Sequence, residues 1–412
     1  MKRHVLIAIY DMDIGGIERS LINMLEQFDY EHWQVDLLVF RHTGDLLQLI
    51  PPRVNLLPES ARHTVFRKPI AQCVREGQLA AAALRLAAKP IARLLARRRR
   101  LKEGAGYIEM QLTSRLLSRL MPAPDKMYDL AVSFSWPHDT VLRAVKARRK
   151  VAWIHTDFSV IETDPALDLH VWDGFDAIAA VSEACRESFL VRYASLAGKV
   201  SVIENITSPA MIRRLAGMEP PAGMAEDRRF KLLTVARLSY AKGLDQAIKA
   251  LWLLKYRGYD NVAWYVVGFG NEEEQLRELI GQYQLSDSFI LLGKQVNPYP
   301  YMAGCDLYVQ PSRYEGKAVT VTEAQILGRP VLITNYATAA SQVADGVDGV
   351  IADLSVEGLA NGIERLIVQS ELRERLARTC LLKDYGNRQE LNKLYALAGE
   401  DAAGPLVSRM AL

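Results

Sequence analysis

Cysteine is scarce in this chain: four in 412 residues, at positions 73, 185, 305 and 380, with no CxxC pair among them. Such spacing argues against a disulfide scaffold or a thiolate zinc site and fits a reducing compartment. Long apolar runs are missing as well, since no uncharged stretch approaches the roughly 18 residues of a membrane-spanning helix. Lys2-Arg3 and the apolar residues 5–10 imitate a signal peptide. The apolar part is too short and lacks a small-residue cleavage site, so no leader is expected. Nor does one sign of charge dominate: Lys plus Arg count 51, Asp plus Glu 48, and the formal net charge is +3. That balance gives no general reason for nucleic-acid binding, and no nucleic-acid partner is expected. What remains is a globular composition, 50% hydrophobic and 24% charged. At about 150 residues per domain, the length predicts two or three domains.

Short apolar runs alternate with amphipathic helical patterns. Runs at 5–10, 34–40, 130–134, 151–154, 177–181 and 200–203 read as strands, and Ser182 reads as the N-cap of a helix over 183–195. The rhythm breaks over 209–229, where Pro220-Pro221, two glycines and a cluster of charges suit a linker. It resumes with strands at 231–235, 262–267, 289–292, 307–309 and 331–334. Continuous apolar runs joined by helices describe strands buried on both faces of a parallel sheet. The fold class is therefore α/β, with two doubly wound, Rossmann-like halves expected to face each other across a cleft. The expected divisions are an N-terminal domain over 1–208 with a helical insert at about 69–121, a linker over 209–229, a C-terminal domain over 230–385 and a helical tail over 386–412. Ligands of such sheets bind beyond the carboxyl ends of the strands.

Three segments at such ends carry chemistry. Ser312-Arg313-Tyr314-Glu315-Gly316-Lys317-Ala318-Val319-Thr320-Val321-Thr322-Glu323 leaves a strand and enters a helix, with two carboxylates separated by seven residues. The helix N-terminus favours an anion such as a diphosphate. Carboxylates beside it are placed to accept hydrogen bonds from sugar hydroxyls, at about 1.5–3 kcal/mol per charge-assisted bond. Val235-Ala236-Arg237-Leu238-Ser239-Tyr240-Ala241-Lys242-Gly243 supplies a planar fork at Arg237 and a mobile point charge at Lys242, a pair suited to a departing diphosphate. Asp13-Ile14-Gly15-Gly16-Ile17-Glu18 follows the first strand, and its glycines remove side chains where a phosphate could approach a helix start. Glu18 is read as helping that helix begin. Asp11-Met12-Asp13 matches a short Asp-x-Asp metal motif but is read as loop carboxylates, and no metal is expected.

These motifs resemble those of GT-B retaining glycosyltransferases, particularly glycosyltransferase family 4, and the similarity extends over nearly the whole chain. The resemblance implies that Glu315 contacts the donor sugar and Glu323 the nucleotide ribose, with Arg237 and Lys242 on the diphosphate. It implies donor-binding roles for Gly15, Gly16, Gly268, Gly316, Lys317, Ala318 and Val319. His155, after the strand at 151–154, would face the reacting sugar and donate to a hydroxyl or phosphate as a neutral imidazole, and Asp13 would lie on the acceptor side. Gly268-Phe269-Gly270 and Lys294 are expected near the base, and Asn335 to Ser341 near the donor pocket. The sequence departs from the family's Glu-Gly-Phe-Gly at Lys317 and Ala318, and from its Gly-Arg-Leu at Ala236.

From Arg85 to Lys102 there are eight basic residues and no acidic one, interleaved with Leu84, Leu86, Ile91, Leu94 and Leu95. This basic amphipathic segment, expected to bend or break near Pro90, is read as meeting an anionic membrane through Arg93, Arg97, Arg98, Arg99 and Arg100. The resulting expectation is a cytoplasmic enzyme, peripheral on the inner face of the cell membrane. It would move a sugar from a nucleotide diphosphate sugar, a UDP-sugar, to a hydroxyl of a lipid-linked glycan, with retention and without a cofactor. The forms around Glu315 and Asn335 resemble bacterial capsular, exopolysaccharide and teichoic-type synthesis enzymes. A soluble or protein acceptor, and a catalytically silent nucleotide-sugar scaffold, stay open on sequence alone.

Overall fold

The structure is a computed structural model describing residues 2–99, 101, 104–122, 124–156, 158–159, 161–217, 223–315 and 318–399. Arg100, Gly316 and Lys317, named above, lie outside the described residues, as do Pro220 and Pro221 of the expected linker. The chain divides into two units. The first runs to Thr207 and resumes at Asn387, and the second is Ser208–Gly386.

The first unit is built on seven strands: β1 (Arg3–Ile9), β2 (Trp33–Val39), β3 (Asn55–Leu56), β4 (Tyr128–Ser133), β5 (Ala147–Ile154), β6 (Ala177–Ala180) and β7 (Val200–Val202). They form a parallel sheet in the order β3-β2-β1-β4-β5-β6-β7. Val5, Leu6 and Ile7 of β1 are fully buried in succession, because helices cover both faces of the sheet. The second unit has six: β8 (Phe230–Val235), β9 (Val262–Val267), β10 (Phe289–Gly293), β11 (Leu307–Gln310), β12 (Val331–Thr334) and β13 (Val350–Ala352). Their order is β10-β9-β8-β11-β12-β13, again parallel. Neighbours along a strand point to opposite cores. Leu232 joins the helices Leu244–Tyr256 and Val356–Val368, while Leu233 faces Tyr301, Val321 and Ile326.

Two segments differ from the sequence reading. Pro209–Ala216, expected as linker, is a helix whose cap Ser208 accepts the Met211 N–H at 3.3 Å and whose Ile212 is buried in the second unit. Pro209 at the first helical position starts the helix, since its missing N–H would have had no partner there. The helix Glu390–Leu397, expected in a separate tail, belongs to the first unit. Tyr395 stacks on Trp33 with centroids 5.6 Å apart, meets Phe28 edge-on at 5.4 Å, and accepts the Asp29 N–H at 2.9 Å.

The basic insert also departs from expectation. Leu79–Arg99 is one unbroken helix. Pro90 is exposed, so the Leu86 carbonyl that loses its partner can turn to water. Arg85 points inward, donating to the carbonyls of Val65 and Lys68. Arg99, assigned above to the membrane, instead holds the Asp164 carboxylate through two bonds of 2.8 and 2.9 Å. Asp164 in turn caps the helix Pro165–Asp173 through the Ala166 N–H.

Tyr395 gives the first test. Tyr395→Phe removes one hydrogen bond and should cost about 1 kcal/mol. Tyr395→Ala removes the ring from between Trp33 and Phe28 and should cost about 3 kcal/mol in urea unfolding. Equal effects of the two substitutions would show that the ring does not hold the returning helix.

Candidate functional site

In both sheets the strand order reverses at one point, between β1 and β4 in the first unit and between β8 and β11 in the second. The loops leaving the carboxyl ends of these neighbours diverge there and open a crevice for ligands. Arg237 follows β8, and Ser312 to Glu315 follow β11. Asp13, Gly15 and Gly16 follow β1, and His155 follows β5.

In the second unit the centre is Glu315. Its Oε1 accepts from Lys242 Nζ at 2.6 Å, Ser312 Oγ at 2.7 Å and Gln310 Nε2 at 3.1 Å. Among the described residues its Oε2 accepts from Lys242 alone at 2.8 Å, so that oxygen keeps a position for a further donor. Thr338, within the segment flagged at 335–341, donates to the Glu315 carbonyl at 2.9 Å. Lys242 reaches the carboxylate because Gly243 turns the chain at φ +63°, where an added Cβ would lie 2.0 Å from the Pro311 carbonyl oxygen. Arg313 ties the same loop to the next helix. It grips Asp245 through two bonds of 2.8 and 2.6 Å and lies over the Tyr240 ring. The sequence named Lys242 and Glu315 separately, and the structure joins them as an ion pair. It did not assign roles to Gln310 and Ser312. Their signal was two polar residues at the buried carboxyl end of a strand, 1% and 0% exposed.

Arg237 is exposed, and its side chain has no partner among the described residues. Gly268 (φ +153°) lies against the same loop, with an added Cβ only 1.8 Å from the Ala236 carbonyl oxygen. Leu238 N–H donates to the Phe269 carbonyl at 3.0 Å, and the Lys294 ammonium lies 5.6 Å from the Phe269 ring centre. Ala318 is buried at the start of the helix Val319–Ile326, and its N–H donates to Gln342 Oε1 at 3.2 Å. Glu323, on that helix, is buried and accepts from Tyr299 Oη at 2.8 Å. Burial first, and the charges of Glu323 and Glu315 after it, push the Tyr308 phenol upward.

In the first unit, loops after β1, β4 and β5 surround a cavity of about 240 Å³. Tyr10, Trp136, Trp153 and Trp172 supply aromatic walls, and Asp11, Glu18, His138, His155 and Asp168 supply polar groups. His155 Nε2 lies 2.9 Å from the Phe134 carbonyl oxygen. A carbonyl only accepts, so Nε2 carries the proton and Nδ1 can only accept. Burial pushes the His155 pKa down to about 4, which keeps the ring neutral. The expectation that His155 donates to substrate is thus corrected: its one N–H is already engaged. His138, not singled out from sequence, is pushed down to about 3 by burial and by His155. Asp13 is exposed at the rim, its N–H directed at Asp11 Oδ1 at 3.4 Å. Asp11 itself lies 3.6 Å from Arg67, whose guanidinium sits 4.5 Å from the Tyr10 ring centre. Gly16 is exposed, while an added Cβ on Gly15 would lie 2.2 Å from Glu18 Oε2. Glu18 thus folds back over the glycine turn and lines the cavity, beyond the helix-starting role read from sequence.

Burial, with Asp11 adding to it, pushes the Glu18 pKa from 4.5 up to about 7. The folded state therefore holds a proton that the unfolded chain has released, and stability falls as pH climbs from about 4.5 to 7. Glu18→Gln should flatten that part of the Tm-against-pH curve. A difference curve with no slope in this window would show that Glu18 titrates as an ordinary surface carboxylate.

Residues 220–380 match the family model of glycosyl transferases group 1. Over 154 residues the chain is 30% identical to the alpha-D-kanosaminyltransferase of Streptomyces kanamyceticus, covering 37% of this chain and 40% of that protein. Over 206 residues it is 26% identical to the capsular polysaccharide biosynthesis glycosyltransferase CapM of Staphylococcus aureus, covering 48% and 53%. The chain thus spans about half the length of the curated relatives it matches. Among solved structures, Anabaena HepE in complex with UDP and glucose aligns with 96% of this chain and 98% of its own, at TM-score 0.65 and 18% identity. TarM of S. aureus aligns over 97% and 99%, at TM-score 0.65 and 14% identity. At such identities the likeness is one of fold. Residues 220–380 thus resemble the glycosyl transferases group 1 family, within a chain that has the GT-B fold of these solved glycosyltransferases.

Proposed function

We propose that this protein is a retaining glycosyltransferase. It takes a sugar from a nucleotide diphosphate donor, a UDP-sugar, and passes it to a hydroxyl of a lipid-linked glycan in bacterial surface polysaccharide synthesis. The observation that carries this reading is the Lys242–Glu315 pair, with Lys242 on the same loop after β8 as the exposed Arg237, where β8 and β11 part. As the glycosidic bond breaks, negative charge grows on the β-phosphate. Arg237 presents a planar fork to it, and Lys242, oriented by both oxygens of Glu315, a second positive charge. The open acceptor position on Glu315 Oε2 receives a sugar hydroxyl. Glu323 is assigned to the ribose and Gly268 and Lys294 to the base side of the donor.

The cavity of the first unit is assigned to the acceptor. Its tryptophan walls suit the apolar faces of a sugar, and its carboxylates and the His155 Nδ1 suit hydroxyl protons. Attack and departure occur on one face of the sugar, with no carboxylate as covalent nucleophile and no metal. What supports the metal-free assignment is that the departing charge is met by Arg237 and Lys242, while Asp11 is turned toward Arg67. The UDP acceptor of charge is supported by UDP in the HepE complexes, and the polysaccharide role by the name of the CapM relative.

A thermal-shift panel of UDP-, GDP-, ADP- and dTDP-sugars tests the donor. A UDP-sugar at about 100 times its Kd should raise Tm by about 5 °C, and Glu323→Ala should reduce the shift. No response to any nucleotide sugar would overturn the reading in favour of a fold without its donor. In turnover assays Glu315→Gln or Lys242→Ala should lower kcat by about 100-fold or more, judged from the loss of single oxyanion donors. EDTA should leave activity intact, and a loss restored by added divalent cation would replace this mechanism with a metal-assisted one.

A further inference from the structure

The helix Leu79–Arg99 turns an unexpected side to solvent. Its inward face is made of small residues: Ala81, Ala88, Ala92 and Ala96 are buried, the last two against Ile108 of the helix Gly106–Leu117. With alanines filling the contact, the larger apolar side chains go outward. Leu79, Leu86, Ile91 and Leu94 are 62%, 56%, 48% and 52% exposed. Ala83, Ala87 and Pro90 between them are exposed too. At 100° per residue these positions share one sector of the helix, a stripe about 20 Å long with no charge inside it. Arg93 flanks the stripe and Arg97 and Arg98 continue it. All three are exposed, and none has a side-chain partner among the described residues. No acidic residue occurs from 77 to 101.

We propose that this face lies in the plane of an anionic phospholipid bilayer. Leu79, Leu86, Ile91 and Leu94 enter the acyl boundary, and Arg93, Arg97 and Arg98 rest among the headgroup phosphates. The stripe lies on one unbroken helix, lacks any acid that would repel phosphate, and ends in guanidiniums that match phosphate geometry. Among the described residues no helix is long and apolar enough to cross a membrane, so attachment along the surface is the mode this helix supports. The apolar side chains hold the protein, and the cations select the lipid. The sequence reading named only the arginines as membrane contacts, and the outward leucines and isoleucine add the apolar part. This insertion extends the lipid-linked acceptor reading, on which its biological purpose rests.

Flotation of the full chain with vesicles tests it without donor or acceptor, so its failure is separate from failure of the sugar reading. On vesicles of phosphatidylglycerol and phosphatidylcholine, Leu86→Gln with Leu94→Gln should weaken partitioning at least tenfold with Tm unchanged, as both residues are exposed. Arg97→Gln with Arg98→Gln should weaken it about tenfold on the same vesicles and not on phosphatidylcholine alone. Vesicle binding by the double leucine variant equal to that of the parent would overturn the insertion. So would a parent that ignores vesicles yet dimerises in light scattering through a contact the leucine variant abolishes, since the face would then belong to a second copy.

Discussion

A parallel sheet buried on both faces leaves little place for charge along the covered part of its strands, and much of this molecule follows from that constraint. The covered stretches of β1, β8 and β9 are mainly apolar, the buried Asp36 within β2 is held by Asn55, Lys126 and Tyr128, and the proposed site's polar groups collect where strands end. Gln310 is the clearest case. It is the last residue of β11, it is buried, and it has already turned its amide toward Ser312 and Glu315. The site begins at the residue where the sheet stops excluding water.

Placing two opposite charges there creates a second constraint. A lysine and a glutamate taken partly out of water are tolerable only if each satisfies the other and the remaining lone pairs find donors. Glu315 meets that condition through Lys242, Ser312 and Gln310, and the hold on Lys242 depends on a glycine that lets the chain pass under the Pro311 carbonyl. Arg237 is under no such restraint and remains exposed. The two cations therefore differ in kind. One is oriented and partly neutralised by its own protein, and the other keeps its full charge for whatever approaches.

Most of the strands and the ends at which chemistry collects were legible in the sequence, because uninterrupted apolar runs have few other uses and glycines beside charges mark loops. What escaped depended on partners distant in the chain. Pro209 looks like a breaker until Ser208 is seen to cap the helix it opens. Which side of Leu79–Arg99 turns inward is set by the helix Gly106–Leu117, against whose Ile108 the alanines 92 and 96 are buried. Arg85 and Arg99 were grouped with their neighbours by sequence, and only packing reveals that carbonyls and Asp164 hold them. The protonated nitrogen of His155 is likewise set by the Phe134 carbonyl, 21 positions earlier.

The return of the last described helix to the first unit has a consequence for biosynthesis. Trp33 and Phe28 emerge from the ribosome early, and the aromatic ring that covers them is made more than three hundred residues later. Until then the newborn first unit carries an uncovered aromatic patch, while Ser208–Gly386, continuous in the chain, can complete itself without waiting. A premature stop between Gly386 and Glu390 leaves that patch permanently bare, and so marks the shortened product for chaperones and proteases although every residue of the proposed transfer site has been synthesised.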